Sequence, residues 1–360
     1  MSPAPHAPST PPASTGAGAF PDPHATAADP DVVVDLTRPR RIHLVGLGGA
    51  AMQAIATVLV AMGHRVSGSD LRESPVLERL RASGVDVVVG HDAANVTAEV
   101  DLVGVSTAIP GRNPELREAR RRAIPVASRA ALLAAVAAER STVAVAGTHG
   151  KTTTSSMLAL VLSEAGLHPS FIIGGEVHAM GTGAVWDRGE WFVVEADESD
   201  GTFLSLPRRA ALVTNVEPDH LEHWGGFGPL RQAFADFLAT TDGPTVVCAD
   251  DAVAAELAAA TGALTYGTAE GAHYRITGLE RARQGTAFTL VEGDRPLGRV
   301  ELPIPGAHNA RNAAGAIAMA LQLGAPFEAA VAAMAGFTGV ARRFQRRGEA
   351  AGVTFIDSYD

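Results

Sequence analysis

A glycine-rich loop with one lysine, Gly147-Thr-His-Gly-Lys-Thr-Thr153, lies between an apolar run and a helical pattern. Such a loop suits phosphate binding, because the amides at a helix start face an anion and the helix dipole favours negative charge. In this interpretation Lys151 reaches the β- and γ-phosphates of a nucleotide and the Thr152 hydroxyl binds Mg²⁺. The alternative is a plain glycine-rich turn with a surface lysine. The residues predicted to hold the nucleotide here are Gly147, Thr148, His149, Gly150, Lys151, Thr152 and Thr153.

An acidic cluster, Glu195-Ala-Asp-Glu-Ser-Asp200, follows the apolar run 191–194, where a buried strand is expected to end. Carboxylate oxygens at the end of a parallel strand beside a phosphate loop suit Mg²⁺. We predict that Glu195, the first residue after the strand, binds the metal in preference to Asp197. A solvated acidic loop is the alternative, and we favour it for Glu198 and Asp200.

A second polar cluster, Asn215-Val-Glu-Pro-Asp-His-Leu221, follows another predicted strand. His220 is a candidate ligand of a second metal ion, and Asp219 is placed to orient its ring. A packing or surface histidine is the alternative for His220, and surface exposure is what we expect for His223.

Two later segments are weaker candidates. In Pro305-Gly-Ala-His-Asn-Ala-Arg-Asn312, Asn309 and Asn312 share one face of a predicted helix, and side-chain amides can pair with an adenine edge. An N-terminal helix cap explains one of the two equally well. The basic run 342–347 is either a solvated linker or the source of an arginine that clamps a transferring phosphoryl group.

A glycine pattern, Gly46-Leu-Gly-Gly-Ala-Ala-Met52, follows the first predicted strand, and Asp70 ends the second. This pattern is close to a dinucleotide-binding fingerprint. It suits NAD, and it equally suits any diphosphate that carries a ribose, such as a UDP-sugar.

Composition narrows the class of protein. The chain has 360 residues, 46% of them apolar, and a net charge of −10, which argues against a general nucleic-acid binder. One cysteine, Cys248, excludes an intramolecular disulfide framework and fits a reducing compartment. No apolar run reaches membrane-spanning length, and the composition of residues 1–30 leads us to expect no secretory signal there. We therefore expect a cytoplasmic protein.

Strand and helix patterns alternate along most of the chain, which indicates an α/β fold with parallel sheets. The N-terminal unit is predicted to be Rossmann-like, and the next to be a P-loop ATPase-type α/β domain with hairpins over 273–303. About 25 residues follow 335, too few for a third domain of about 100 residues. The predicted organisation is a disordered, proline-rich tail over 1–40, a first domain over 41–138, a central domain over 139–335, and over 336–360 the start of a largely missing C-terminal domain.

Together these motifs, with Arg342-Arg-Phe344 and Ser67-Gly-Ser-Asp70, resemble the ATP-dependent Mur amino-acid ligases of peptidoglycan synthesis in type and order. Thr148-His149 and the 195–200 segment favour the member that adds L-alanine. The resemblance implies a ligase that forms a C–N bond between L-alanine and the carboxylate of UDP-N-acetylmuramate, using ATP and Mg²⁺ through an acyl phosphate.

The resemblance also implies residue roles. In the first domain it implies contacts to the UDP moiety by Gly46, Gly48, Gly49, Asp70 and Ser106. In the central domain it implies that Lys151 holds the phosphates, Thr152 and Glu195 the first Mg²⁺, and His220 the second. Asn309 and Asn312 are then expected to face adenine, and Arg343 the γ-phosphate.

The chain departs from the family pattern at two places. Ala51 and Ala54 stand where relatives usually carry glycine, and Gln53 where they carry a small polar residue. The last residues, Asp357-Ser-Tyr-Asp360, look like the start of a family motif that breaks off, so we expect the chain to bind nucleotides and catalyse poorly. The alternatives are a sister ligase such as a murein tripeptide ligase, a nucleotide-binding module without turnover, and a NAD-dependent oxidoreductase.

Overall fold

The computed structural model describes residues 28–29, 32–341, 345–350 and 353–357. Two large sheets make up most of this part of the chain, a five-stranded sheet followed by a ten-stranded one. The α/β class predicted from the alternating patterns is therefore confirmed. Along the described residues, no helix is long and apolar enough to cross a bilayer.

The first sheet is entirely parallel, with strand order β3-β2-β1-β4-β5. Its strands are β1 Arg41–Val45, β2 Arg65–Asp70, β3 Asp86–Val89, β4 Leu102–Val105 and β5 Val126–Ser128. Its helices are α1 Ala50–Ala61, α2 Pro75–Ala82, α3 Pro114–Arg121 and α4 Arg129–Ala138. The strand order reverses between β1 and β4, and a crevice at such a switch point is where open α/β sheets bind ligands.

The second sheet has the order β15-β14-β13-β12-β11-β10-β6-β9-β7-β8. Its strands are β6 Ser141–Ala146, β7 Ser170–Val177, β8 Thr182–Val185, β9 Trp191–Glu195, β10 Ala210–Val213, β11 Thr245–Cys248, β12 Leu264–Gly267, β13 Tyr274–Ala282, β14 Gly285–Glu292 and β15 Arg295–Leu302. Its helices are α5 Lys151–Glu164, α6 Leu221–Trp224, α7 Phe227–Ala239, α8 Ala252–Thr261, α9 Ala307–Gln322 and α10 Phe327–Gly336.

The centre of the second sheet is parallel and its edges are antiparallel. β6 pairs in parallel with both β9 and β10, so its switch point lies where β6 ends at Ala146. The predicted hairpins are confirmed as β13, β14 and β15. In these two sheets the sequence reasoning missed β5, β7, β8 and β12; β7 contains the pair Gly174-Gly175, which does not look like a strand interior.

Residue type explains the packing. The apolar run of β6 is fully buried from Val143 to Ala146, as expected for a central strand covered on both faces. Helix α9 buries a stripe of small residues, Ala310, Ala313, Ala314 and Ala316, against the core that it shares with α5. Small side chains allow close helix approach, and the glycine loop that precedes α5 is thereby held next to α9.

The two sheets touch through α1, which packs against β7 and β8. A short antiparallel hairpin closes the described chain, formed by β16 Gln345–Ala350 and β17 Val353–Asp357. The sequence predicted a strand over 352–356, which β17 confirms apart from residue 352, which lies outside the described residues.

Candidate nucleotide and substrate sites

The loop 147–150 connects the central strand β6 to helix α5. Gly150 precedes the helix with a left-handed φ of 87°, and Gly147 has a φ of 128°. A Cβ on Gly147 would lie 2.2 Å from Thr214 Oγ1, and one on Gly150 would lie 2.8 Å from Asn312 Oδ1. Only glycine satisfies both the backbone angles and the lack of space at these two positions.

The end of β10 fixes the first half of the loop. Thr148 N donates to the Asn215 main-chain oxygen at 3.2 Å, and His149 N donates to Asn215 Oδ1 at 2.8 Å. Asn215 Nδ2 in turn donates to the His149 carbonyl at 2.9 Å. The amides of residues 148 and 149 are therefore hydrogen-bonded within the protein, and the predicted contacts of Thr148 and His149 with a nucleotide stay predictions.

The second half of the loop keeps its amides available. Within the described part of the chain, the main-chain N–H groups of 150–153 have no hydrogen-bond acceptor. These groups form the first turn of α5, where unpaired amides and the helix dipole attract an anion. The amides that remain available to an anion are therefore those at the start of α5.

Lys151 is held by a buried carboxylate. Its Nζ lies 2.8 and 3.1 Å from the two carboxylate oxygens of Glu198 and donates to the Gly147 carbonyl at 2.8 Å. The Glu198 side chain is 1% exposed, and its main-chain oxygen accepts from Trp224 Nε1 at 3.0 Å. The expectation that Glu198 lies in a solvated loop is wrong, because the pairing with Lys151 compensates its burial.

Thr152 and Glu195 come together as predicted. Thr152 Oγ1 donates to Glu195 Oε2 at 3.0 Å, and the other oxygen of Glu195 accepts from Gly174 N at 2.6 Å. A hydroxyl and a carboxylate side by side, next to available amides, form an oxygen-rich set that suits Mg²⁺ beside a phosphate. No group of three or more His, Cys, Asp or Glu residues with metal-binding geometry occurs among the described residues.

His220 stands directly before the short helix α6 in a left-handed conformation with a φ of 52°. Its Nε2 lies 3.7 Å from Asp219 Oδ2, and its side chain is 42% exposed. Asp219 thus contacts the histidine as predicted, while the role of His220 at a second metal stays a prediction. His223 is exposed, as expected.

The two asparagines at the start of α9 differ in position. Asn309 Nδ2 donates to the Pro305 carbonyl at 2.7 Å, which stabilises the helix start. Asn312 is buried and its Oδ1 faces Gly150, so it lies against the glycine loop that precedes α5. The predicted contacts of both asparagines with adenine remain predictions, and Arg343 lies outside the described residues.

His308 lies in the same first turn of α9. Burial, and secondarily the charge of Arg311, lowers the pKa of His308 below its ordinary value.

The glycine pattern of the first sheet lies at the switch point between β1 and β4. Gly46 approaches Ser106 so closely that a Cβ would lie 3.0 Å from the serine Cβ. Gly48 N donates to Asp70 Oδ2 at 2.7 Å, and Gly49 precedes α1. The structure therefore brings these five predicted residues together, with the Gly48 amide hydrogen-bonded to Asp70.

A buried polar network beneath this loop was missed by the sequence reasoning. Glu115, with 0% exposure, accepts from Ser69 Oγ at 2.7 Å and from Asn95 Nδ2 at 2.6 Å, and it lies 3.2 Å from His91 Nδ1. Burial alone would raise the pKa of Glu115, but hydrogen bonds from His43, Asn95 and Ser69 outweigh it and lower the pKa. From sequence, a glutamate in the first turn of a helix indicates only a favourable dipole contact.

The fold, with glycine loops at the switch points of two large sheets, is typical of nucleotide-binding α/β proteins. The family model described as Mur ligase family, catalytic domain, matches residues 41–141, and the model described as Mur ligase middle domain matches residues 145–320. The chain therefore belongs to the Mur ligase family, whose members form C–N bonds and depend on ATP. This membership decides against the alternative of a NAD-dependent oxidoreductase.

Relatives with assigned activities resemble the chain over most of its length. The UDP-N-acetylmuramate–L-alanine ligase of Anaeromyxobacter sp. (strain Fw109-5) is 44% identical over 327 residues, covering 90% of this chain and 71% of that protein. The Salinispora arenicola (strain CNS-205) enzyme of the same name is 47% identical, covering 88% of this chain and 63% of that protein. This chain thus spans roughly two thirds of the length of these relatives.

Solved structures show the same fold. UDP-N-acetylmuramate-alanine ligase from Thermotoga maritima superimposes with a TM-score of 0.78 at 30% identity, covering 89% of this chain and 74% of that one. The UDP-N-acetylmuramate:L-alanyl-gamma-D-glutamyl-meso-diaminopimelate ligase from Neisseria meningitides gives a TM-score of 0.75 at 29% identity, covering 85% of this chain and 100% of that one.

Proposed function

We propose that this chain uses ATP to join L-alanine to the carboxylate of UDP-N-acetylmuramate, the reaction named for its relatives of 44 and 47% identity. One observation carries the proposal. The Thr152 hydroxyl and the Glu195 carboxylate meet at 3.0 Å beside the available amides that begin α5. Donors and acceptors are thus arranged for the phosphates and the Mg²⁺ of a nucleotide at one point.

The two nucleotide substrates bind at different sheets. The sugar nucleotide binds at the switch point of the first sheet, in a domain over 41–138, and Mg-ATP binds at the switch point of the second, in a domain over 139–335. Both regions lie at the carboxyl ends of parallel strands, where such sheets place ligands.

The reaction follows from charge. The muramoyl carboxylate attacks the γ-phosphorus of ATP, and the bond from this phosphorus to the oxygen that bridges the β- and γ-phosphates breaks. ADP leaves, and an acyl phosphate of the muramoyl group is formed. The amine of L-alanine then attacks the acyl carbon, phosphate leaves, and the amine loses a proton. Lys151 and the amides of 150–153 hold the phosphates. Thr152 and Glu195 would hold Mg²⁺, which would supply positive charge beside the phosphoryl oxygens.

Binding of ATP to the E195Q variant tests this proposal. Affinity is measured calorimetrically with Mg²⁺ and with a chelator, for the natural chain, E195Q and the matched control D197N, whose exposed carboxylate lies on the same loop. We expect Mg²⁺ to strengthen ATP binding in the natural chain and in D197N, and this gain to fall by at least about tenfold in E195Q. Binding of UDP-N-acetylglucosamine, which lacks the lactyl carboxylate, should be equal in all three.

An unchanged Mg²⁺ gain in E195Q, or an equal loss in D197N, contradicts the assignment of Glu195. The expectation of weak turnover stays a prediction, and a phosphate-release assay with ATP, UDP-N-acetylmuramate and L-alanine checks it.

A sister ligase that takes a tripeptide is the second candidate, favoured by the TM-score of 0.75 to the Neisseria enzyme. Both reactions use the same sugar nucleotide and ATP and differ in the amine. Phosphate release stimulated by L-alanine supports the first candidate, whereas release stimulated only by L-alanyl-γ-D-glutamyl-meso-diaminopimelate supports the second.

A further inference from the structure

Arg129 lies at the end of a row of strand ends in the first sheet. Because β1, β4 and β5 are adjacent and parallel, their carboxyl ends follow one another as Gly46, Ser106 and Ser128. Arg129 is the next residue and begins α4. A ligand whose diphosphate lies at Gly46 and which extends along this edge therefore reaches Arg129.

The arginine also reaches the second sheet. Its Nη2 lies 3.5 Å from Asp200 Oδ2, on the loop that follows β9, and its side chain is 27% exposed. Arg129, Glu195 and Asp197 line one small cavity between α4 and this loop. The arginine thus faces the same space as the carboxylate proposed to bind the metal.

The charges that line this cavity suggest which ligand Arg129 could bind. Of the described residues that line the cavity, Arg129 is the one cation, and the charged groups opposite it are carboxylates. An incoming carboxylate is repelled by these acids and attracted by Arg129. A guanidinium binds a carboxylate through two parallel hydrogen bonds, whereas Arg129 has a single partly exposed contact with Asp200 that is readily exchanged.

We propose that Arg129 binds the carboxylate of the sugar-nucleotide acid, exchanging Asp200 for the substrate. It thereby positions the attacking oxygen next to Glu195 and selects nucleotide sugars that carry an acid. This assignment rests on the proposed function and adds to it the residue that recognises the nucleophile.

Two nucleotide sugars that differ in the acid test the proposal. UDP-N-acetylmuramate carries a lactyl carboxylate and UDP-N-acetylglucosamine does not, and the affinity of each is measured by calorimetry without turnover. We expect the natural chain to prefer the acid, and R129Q to lose that preference by at least about tenfold while its affinity for UDP-N-acetylglucosamine is unchanged.

D200N provides a second test that leaves Arg129 in place. Asparagine keeps an oxygen for the Thr202 amide, which donates to Asp200 Oδ1 at 3.1 Å, but removes the competing charge. The ratio of the affinity for UDP-N-acetylmuramate to that for UDP-N-acetylglucosamine should therefore increase. R231Q is the matched control, because Arg231 belongs to an exposed ion pair with Glu256 on α7 and α8.

Three results overturn the proposal. The first is that R129Q retains the preference for UDP-N-acetylmuramate. The second is that R129Q weakens the binding of both UDP-sugars equally, which indicates a structural role at the contact between the sheets. The third is that D200N leaves the preference unchanged. If the natural chain binds neither UDP-sugar, the proposed function fails and the assignment of Arg129 fails with it. If it binds both and R129Q changes neither, the assignment alone fails.

Discussion

Replacing Lys151 by methionine removes the counter-charge of a buried carboxylate. Glu198 is 1% exposed and Lys151 is 16% exposed, and both carboxylate oxygens lie within 3.1 Å of Nζ. Removing one partner of a buried ion pair costs about 3–5 kcal/mol, because the remaining charge is left without compensation. We expect K151M to lower the free energy of unfolding by about this amount.

Urea unfolding followed by tryptophan fluorescence measures the effect. All three tryptophans, Trp186, Trp191 and Trp224, lie in the part of the chain that forms the second sheet and its helices, so the signal reports on that unit. With an m-value of about 2 kcal/mol/M, the midpoint should fall by roughly 2 M.

The double variant K151M/E198Q separates the ion pair from other effects of the substitution. With both charges removed, most of the lost stability should return, and a double-mutant cycle gives the coupling. R231Q is the control, because its exposed pair contributes only about 0–1 kcal/mol. A K151M midpoint equal to that of the natural chain, or a double variant as unstable as K151M, refutes the reasoning.

Two further predictions concern the loop and the buried network. G147A should abolish ATP binding and leave UDP-N-acetylmuramate binding intact, because a Cβ at 2.2 Å from Thr214 Oγ1 displaces the loop. The control is G262A: Gly262 is also left-handed, with a φ of 74°, but lies in open space, so this variant should lose about 1 kcal/mol of stability and keep ATP binding. Equal loss of ATP binding in both variants contradicts the steric argument. Because the pKa of Glu115 is lowered, its stabilisation is present above the unfolded pKa of about 4.3 and is lost as pH falls through the folded value. The difference in melting temperature between the natural chain and E115Q should therefore shrink between about pH 6 and pH 3, and a difference that is independent of pH counts against this account.

The sequence predicted the position of the two glycine loops where the signal is local. An apolar strand, a glycine turn and a helix start are contiguous in sequence, so the turns at 46–49 and 147–150 were predicted from the pattern of neighbouring residues. The polar residues at strand ends were found for the same reason, since parallel strands bring their carboxyl ends to one edge. The meeting of Thr152 with Glu195 follows from that geometry.

Sequence by itself determined the class of fold, the alternation of strands and helices, and the residue types at each strand end, because these depend on neighbours within a few positions. Only the tertiary structure decided which charges are buried together. Glu198 meets Lys151 from 47 positions away, Glu115 meets Ser69 from 46, and Asn312 reaches Gly150 through the packing of α9 on α5. A carboxylate has the same local pattern whether it is solvated or paired, and burial is set by the long-range packing of elements that the local pattern does not contain.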